Sequence, residues 1–134
     1  MNKITNFINS IKPYSPTILR IGLALVFLWF GTSQIIDPVA WFGFVPESAA
    51  TLTGLTIANL VFLNGLFEIV FGTALLFGLF TRLSAFLLFV HILDIALIVG
   101  LDSIGIRDLG LSVATFAVFL NGADMLTLDS YNRK

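Results

Sequence analysis

Four long apolar stretches dominate the chain, over about residues 17–36, 57–80, 83–101 and 106–125. Each is close to the roughly 20 apolar residues that a helix needs to cross a bilayer. The fourth is the shortest. Its run to Asn121 spans about 24 Å at 1.5 Å per residue, so an extension to Met125 is predicted. Short polar segments punctuate the pattern. Asp37-Pro38 closes the first span, because proline disfavours helical backbone in the residue before it. Thr81-Arg82 reads as a tight turn between spans two and three, and Asp102-Ser103-Ile104-Gly105 as the next turn. Ahead of the first span, Ile4, Phe7, Ile8 and Ile11 recur at helical spacing. That pattern predicts either a short helix lying on the membrane surface or a partly ordered tail. Residues 40–56 form a connector. Its Trp41, Phe42 and Phe44 suit the membrane–water boundary, and Pro46 can open a short surface helix from its first turn. The predicted fold is all-α: one membrane domain over residues 1–134, a bundle of four transmembrane helices with an interfacial N-terminal helix and a surface helix between spans one and two.

Composition agrees. Of 134 residues, 57% are hydrophobic and only 11% charged, with mean hydropathy +1.00. A soluble domain carries about a quarter charged residues. A net charge of −1 argues against a nucleic-acid partner. The absence of cysteine excludes a disulfide framework, a dithiol motif, thiolate-held clusters and covalent haem. One histidine cannot build a multi-histidine metal site in a protomer, and no metal site is expected. No small-x-small site follows the first span, so a cleaved signal peptide is not expected. Lys3, Lys12, Arg20, Arg82, Arg133 and Lys134 fall on one side of a four-span topology, and Arg107 alone on the other. The positive-inside rule then places both termini in the cytoplasm of a multi-pass plasma-membrane protein.

Against this background the intramembrane polar residues stand out. Carboxylates at membrane depth are costly and mark sites or partner contacts. Glu68 lies deep in span two. Asp94 lies in span three with His91, the only histidine. Span three holds thirteen Leu, Ile, Val or Phe residues, each worth roughly −0.3 to −0.6 kcal/mol on the insertion scale, against about +3 for a central aspartate. The span inserts, but Asp94 consumes much of the margin. Counted outward from the Thr81-Arg82 turn, Glu68 and Asp94 reach nearly equal height on antiparallel neighbours. His91 lies one turn further in and Asn64 one turn further out, so the four polar groups are expected to converge. Two adjacent carboxylates in low dielectric require a retained proton or an interposed cation, and Arg107 is the nearest cation. The cluster is then a proton-handling or head-group-binding site, polar glue between helices, or a face toward another subunit. Gly22, Gly31, Gly65 and Gly72 read as points of close helix approach. Phe27, Trp29 and Phe30 face lipid or core, or line a quinone-sized slot. Arg20 and Arg82 read as snorkelling to lipid phosphates, and Asp124 and Asp129 as solvated. The Arg107-Asp108 pair either fixes the outer end of span four or belongs to the site.

Three segments carry a family resemblance. Span one reads Arg20-Ile21-Gly22 through Phe27-Leu28-Trp29-Phe30-Gly31 to Asp37-Pro38. Span two has Gly65-x-x-Glu68-x-x-x-Gly72, then Leu75-Leu76-Phe77-Gly78-Leu79-Phe80-Thr81-Arg82. Span four opens Arg107-Asp108-Leu109 and closes Asn121-Gly122-Ala123-Asp124, with Leu128-Asp129 beyond. From about Arg20 to Asp129 the chain resembles the DoxX family of small four-helix membrane proteins. The resemblance implies subunits linked to thiosulfate oxidation and quinone reduction, or to membrane oxidative-stress complexes; many relatives have no assigned activity. Glu68 matches the family's acid in the second span. Relatives commonly carry a lysine where this chain has Gln34, so a lysine partner for Glu68 is missing here.

No catalytic constellation and no cofactor motif is visible beyond the quinone that the resemblance implies. Three functions compete. The chain is a quinone-linked redox subunit in which Glu68, His91 and Asp94 handle protons, with Asn64, Gln34 and Arg107 as neighbouring ligand-binding residues. Alternatively it is a non-catalytic subunit that stabilises a larger membrane complex, or an oligomeric small-solute transporter. The expected partners are the lipid bilayer and either copies of itself or larger complex subunits.

Overall fold

The computed structural model describes residues 2–131. Arg133 and Lys134, counted above for orientation, lie outside the described residues. The elements are α1 (Lys3–Ile11), a 3-10 turn (Lys12–Tyr14), α2 (Ser15–Ile36), a 3-10 segment (Pro38–Phe44), α3 (Glu47–Thr53), α4 (Ile57–Phe77), α5 (Thr81–Val99), α6 (Ser103–Asn121) and α7 (Leu128–Tyr131). Among the described residues four helices are long and apolar enough to cross a membrane, the first continuing from α1 through α2. α1 leaves Ile4, Phe7, Ile8 and Ile11 exposed, the apolar face its spacing predicts. α3 is the short helix of the connector, but it starts at Glu47, with Pro46 in the capping position rather than the first turn.

Polar signals set the helix ends. The Thr56 side chain accepts from the Asn59 N–H at the start of α4. Asp102 accepts from the N–H groups of Ile104 (2.9 Å) and Gly105 (2.8 Å) at the start of α6, pairing donors that a helix leaves orphaned. The turn between spans two and three falls at residues 78–80, and Thr81-Arg82 already belong to α5. Gly78 takes the left-handed backbone there (φ 68°), which costs glycine nothing. The start of α5 is capped from a distance: Asp129 accepts from the N–H groups of Phe80 (2.8 Å) and Thr81 (2.6 Å) and from the Thr81 hydroxyl (2.7 Å).

Each long helix buries one stripe at a period near 3.5. On α4 it is Val61, Gly65, Glu68, Gly72 and Leu75; on α6 it is Gly105, Asp108, Ser112, Thr115 and Val118. α2 packs on α4 and α5 on α6, while the α4–α5 and α2–α6 contacts close the ring. The core groups Leu23, Ala24, Phe27, Leu75, Ala85, Leu88, Ile92 and Val118. α2 and α4 approach closely at Gly31 and Gly65. A Cβ on Gly31 would stand 2.6 Å from the Gly65 carbonyl oxygen, and one on Gly65 would stand 2.9 Å from that of Gly31. Gly22 faces open space and makes no such approach.

The inner end of the bundle differs from expectation. Arg20 does not reach out to lipid; it is 1% exposed. Its Nε donates to Asp124 Oδ2 at 2.7 Å, its Nη1 to the carbonyls of Leu75 and Leu76, and its Nη2 to that of Leu126. Leu75 and Leu76 belong to the last turn of α4, whose carbonyls lack partners inside the helix. Arg20 therefore caps α4 while it neutralises Asp124. Asp124 is buried too, and also accepts from the Thr17 hydroxyl at 2.8 Å and the Leu126 N–H at 2.9 Å. Neither Asp124 nor Asp129 is merely solvated. The geometry depends on α6 stopping at Asn121, short of Met125. Gly122, at positive φ (72°), turns the tail back across the inner ends of the helices.

Candidate functional site

Glu68 sits mid-helix on α4, about 16 Å from its start at 1.5 Å per residue, and is 1% exposed. Close contact at Gly31 and Gly65 brings α2 near enough for Gln34 to serve it. Gln34 Nε2 donates to Glu68 Oε2 at 2.8 Å, and Asn64 Nδ2 donates to Gln34 Oε1 at 2.6 Å. The other carboxylate oxygen, Oε1, lies 3.3 Å from His91 Nε2 on α5. His91 is held against the Phe67 ring, with centroids 4.7 Å apart. Three helices thus meet in one polar chain, Asn64 to Gln34 to Glu68 to His91. Gln34 occupies the place of the lysine that the resemblance led us to look for, and supplies a neutral donor instead of a cation.

The Glu68–His91 contact has two hydrogen-bonding states. Either the imidazole N–H donates to a carboxylate, or a protonated carboxyl donates to an unprotonated Nε2. Both hold a single proton between the groups, and the Gln34 donation to Oε2 is available in both. The arrangement can store a proton and move it over one hydrogen bond.

Above Glu68 the bundle opens into a cavity of about 350 Å³. Glu68, Gln34 and Asn64 line it together with the connector residues Trp41 and Phe44, and its remaining wall is mostly apolar. Phe30 belongs to this wall and stacks edge-on against Trp41 at 5.8 Å. Phe27 lies in the core and Trp29 faces outward, 64% exposed, so neither joins the slot that the sequence suggested.

Asp94 does not join the Glu68 cluster, whereas Asp108 lines its cavity. Asp94 lines the cavity but is exposed, and makes no hydrogen bond or ion pair with Glu68, His91 or any other described residue. The second buried carboxylate of the cavity is Asp108, which is 2% exposed and lines it together with Glu68. Arg107 does not lean toward Glu68. Its Nε donates to Asp108 Oδ1 at 2.8 Å, and its guanidinium sits 5.0 Å from the centroid of the Phe30 ring, within cation–π range. Asp108 was readable as an inward residue from the stripe of small and polar residues it shares on α6; Asp94 lies off the buried stripe of α5. Among the described residues no group of three or more His, Asp or Glu could hold a metal ion.

The cavity draws on all four spans. No curated protein and no solved structure matches the chain. The family signal covers α2 through α5, which carry Gln34, Asn64, Glu68 and His91, and it ends before Arg107 and Asp108 on α6. The DoxX model matches residues 15–101, and this four-helix membrane protein belongs to the DoxX family.

Proposed function

We propose that the protein is a redox-associated membrane subunit that binds a quinone, or a similar lipid-soluble molecule with a polar head, in the bundle cavity. Glu68 exchanges a proton with the bound head group, His91 shares that proton from behind the cavity wall, and Gln34 and Asn64 orient the carboxyl. One observation carries this reading: a buried acid, hydrogen-bonded to an imidazole behind it, in the wall of an apolar, aromatic-lined cavity of about 350 Å³. Ligand pockets of about 300–1,000 Å³ with a few convergent polar groups are the usual form of small-molecule sites. In the plasma membrane the cavity faces outward and both termini inward. Lys3, Lys12 and Arg82 lie at one end of the bundle, and Arg107 at the other.

The test is binding. Removing a hydrogen bond to a charged group costs roughly 1.5–3 kcal/mol. Glu68→Gln is therefore expected to weaken binding of a short-tailed quinone by about tenfold or more, and to deplete quinone retained after gentle solubilisation, as read by mass spectrometry. Unchanged affinity and retention would overturn the reading.

A structural role within a larger complex has its own support. Every deeply buried side-chain nitrogen or oxygen among the described residues already has a partner, so the network holds three helices together without a ligand. On that reading a larger complex co-purifies with the protein and is indifferent to Glu68→Gln.

A further inference from the structure

The polar groups around the cavity are unevenly matched. Its ionisable lining comprises three carboxylates, Glu68, Asp94 and Asp108, and one guanidinium, Arg107. The donors are partly committed. The Trp41 indole N–H goes to Ser33 Oγ at 3.1 Å, the Arg107 Nε–H to Asp108, and amide protons of Gln34 and Asn64 into the Glu68 chain.

Among the buried carboxylate acceptors of the lining, one oxygen is wholly open. Asp108 uses only Oδ1 toward Arg107. Its Oδ2 has no protein partner although the residue is 98% buried. Among the described residues no side-chain oxygen fully shut off from open space lacks a partner, so Oδ2 borders open space, and the space beside it is the cavity. Asp94 adds two more unpartnered oxygens at the cavity edge.

We infer that this cavity selects an aromatic head group that donates hydrogen bonds, the dihydroxy form of a quinone-type amphiphile, over its carbonyl-only oxidised form. The inference rests on the cavity being the ligand site proposed above. A quinone ring presents only acceptors, which leaves the free oxygen of buried Asp108 without a donor from the ligand, a costly outcome, whereas Asp94 is exposed. A dihydroxy ring offers each an O–H, and hydroxyl-to-carboxylate bonds are among the short, strong ones. The Phe30, Trp41 and Phe44 rings favour an aromatic occupant through offset or edge contacts. Asp108 and Asp94 are thereby positioning and specificity residues for the reduced head, separate from the proton held between Glu68 and His91.

The experiment is anaerobic titration of the full-length protein in lipid nanodiscs with a short-tailed benzoquinone and, separately, with its hydroquinone. The hydroquinone is expected to bind about tenfold more tightly, which raises the midpoint potential of the bound two-electron couple by about 30 mV. Asp94→Asn, at an exposed edge where folding is least at risk, and Asp108→Asn are each expected to shrink that preference. Equal affinity for the two forms, tighter binding of the quinone, or an undiminished preference in both variants overturns this inference and leaves the cavity reading standing. Binding of neither form overturns the cavity reading itself, and this inference with it.

Discussion

Arg20→Leu is expected to destabilise the protein more than any other single substitution. The guanidinium is almost fully buried and joins Asp124, the last-turn carbonyls of α4 and the Leu126 carbonyl. Leucine fills part of the volume and supplies none of the donors. Asp124 is then left as a buried carboxylate without its cation, and breaking a buried pair in this one-sided way costs about 3–5 kcal/mol. Lysine is a partial substitute: it keeps the charge, but a point ammonium cannot reach so many acceptors in a fixed fork. Equilibrium unfolding in mixed micelles should therefore rank the wild type above Arg20→Lys, and Arg20→Lys above Arg20→Leu. A loss for leucine below about 1 kcal/mol, the scale of an exposed pair, would show that the clasp does not hold in the membrane-embedded protein. The pH dependence gives the same contact a second reading. Burial alone raises the Asp124 carboxyl, but the Arg20, Leu126 N–H and Thr17 hydrogen bonds and the Arg20 charge outweigh it and hold it below its ordinary 3.8. A carboxylate favoured by folding contributes its full stability above the unfolded value and loses it as pH falls through the folded value. The unfolding midpoint should thus fall on acidification through and below pH 3.8, and this component should be missing from Arg20→Leu.

The bundle was legible because four apolar stretches of span length are separated by short polar turns, while its inward stripes emerge from the structure. Val61, Gly65, Glu68, Gly72 and Leu75 repeat at the spacing that two slightly inclined helices bury, and turn counting along a hairpin puts Glu68, His91 and Asn64 at compatible heights. Counting turns fixes height but not direction around the axis. Asp94 stands two residues beyond buried Ile92, about 200° further round a helix of 3.6 residues per turn, so it reaches Glu68's level while pointing elsewhere. Asp108 shares its stripe with Gly105, Ser112 and Thr115, and that small, polar pattern was the better guide to a carboxylate facing inward. The Arg20–Asp124 pair was hidden for another reason. Its partners lie 104 positions apart and meet only because Gly122 ends α6 and returns the tail over the bundle. Charge placement read as membrane anchoring was the surface-based alternative to a contact that no local pattern announces.

The second large effect is expected where α2 and α4 nearly touch. Gly31→Val and Gly65→Val each place a branched side chain against backbone. The Cβ of residue 31 would meet the Gly65 carbonyl oxygen at 2.6 Å and Glu68 Cβ at 3.1 Å; that of residue 65 would meet the Gly31 carbonyl oxygen at 2.9 Å and Gln34 Cβ at 3.0 Å. A flexible side chain can swing away from such a contact, whereas a helix carbonyl moves only with its helix. The two spans must therefore part, at a cost of about 1–3 kcal/mol for overpacking. Parting them has a consequence that simple loss of stability lacks. Gln34 lies just beyond Gly31 on α2, and Glu68 just beyond Gly65 on α4, so their 2.8 Å bond is the first to lengthen. Quinone affinity should accordingly fall in the fraction that remains folded, with losses resembling Glu68→Gln. Gly22→Ala is the matched control: it lies on the same helix, its new Cβ meets nothing within 4 Å, and exposed substitutions of this kind change stability by about 0.5 kcal/mol or less. Full binding by folded Gly31→Val would mean that the Gly31–Gly65 contact packs the bundle without positioning the carboxylate. Reduced binding beside an unaffected Gly22→Ala would instead tie helix separation directly to the proton-bearing group, which is the link between fold and site that the two facing glycines provide.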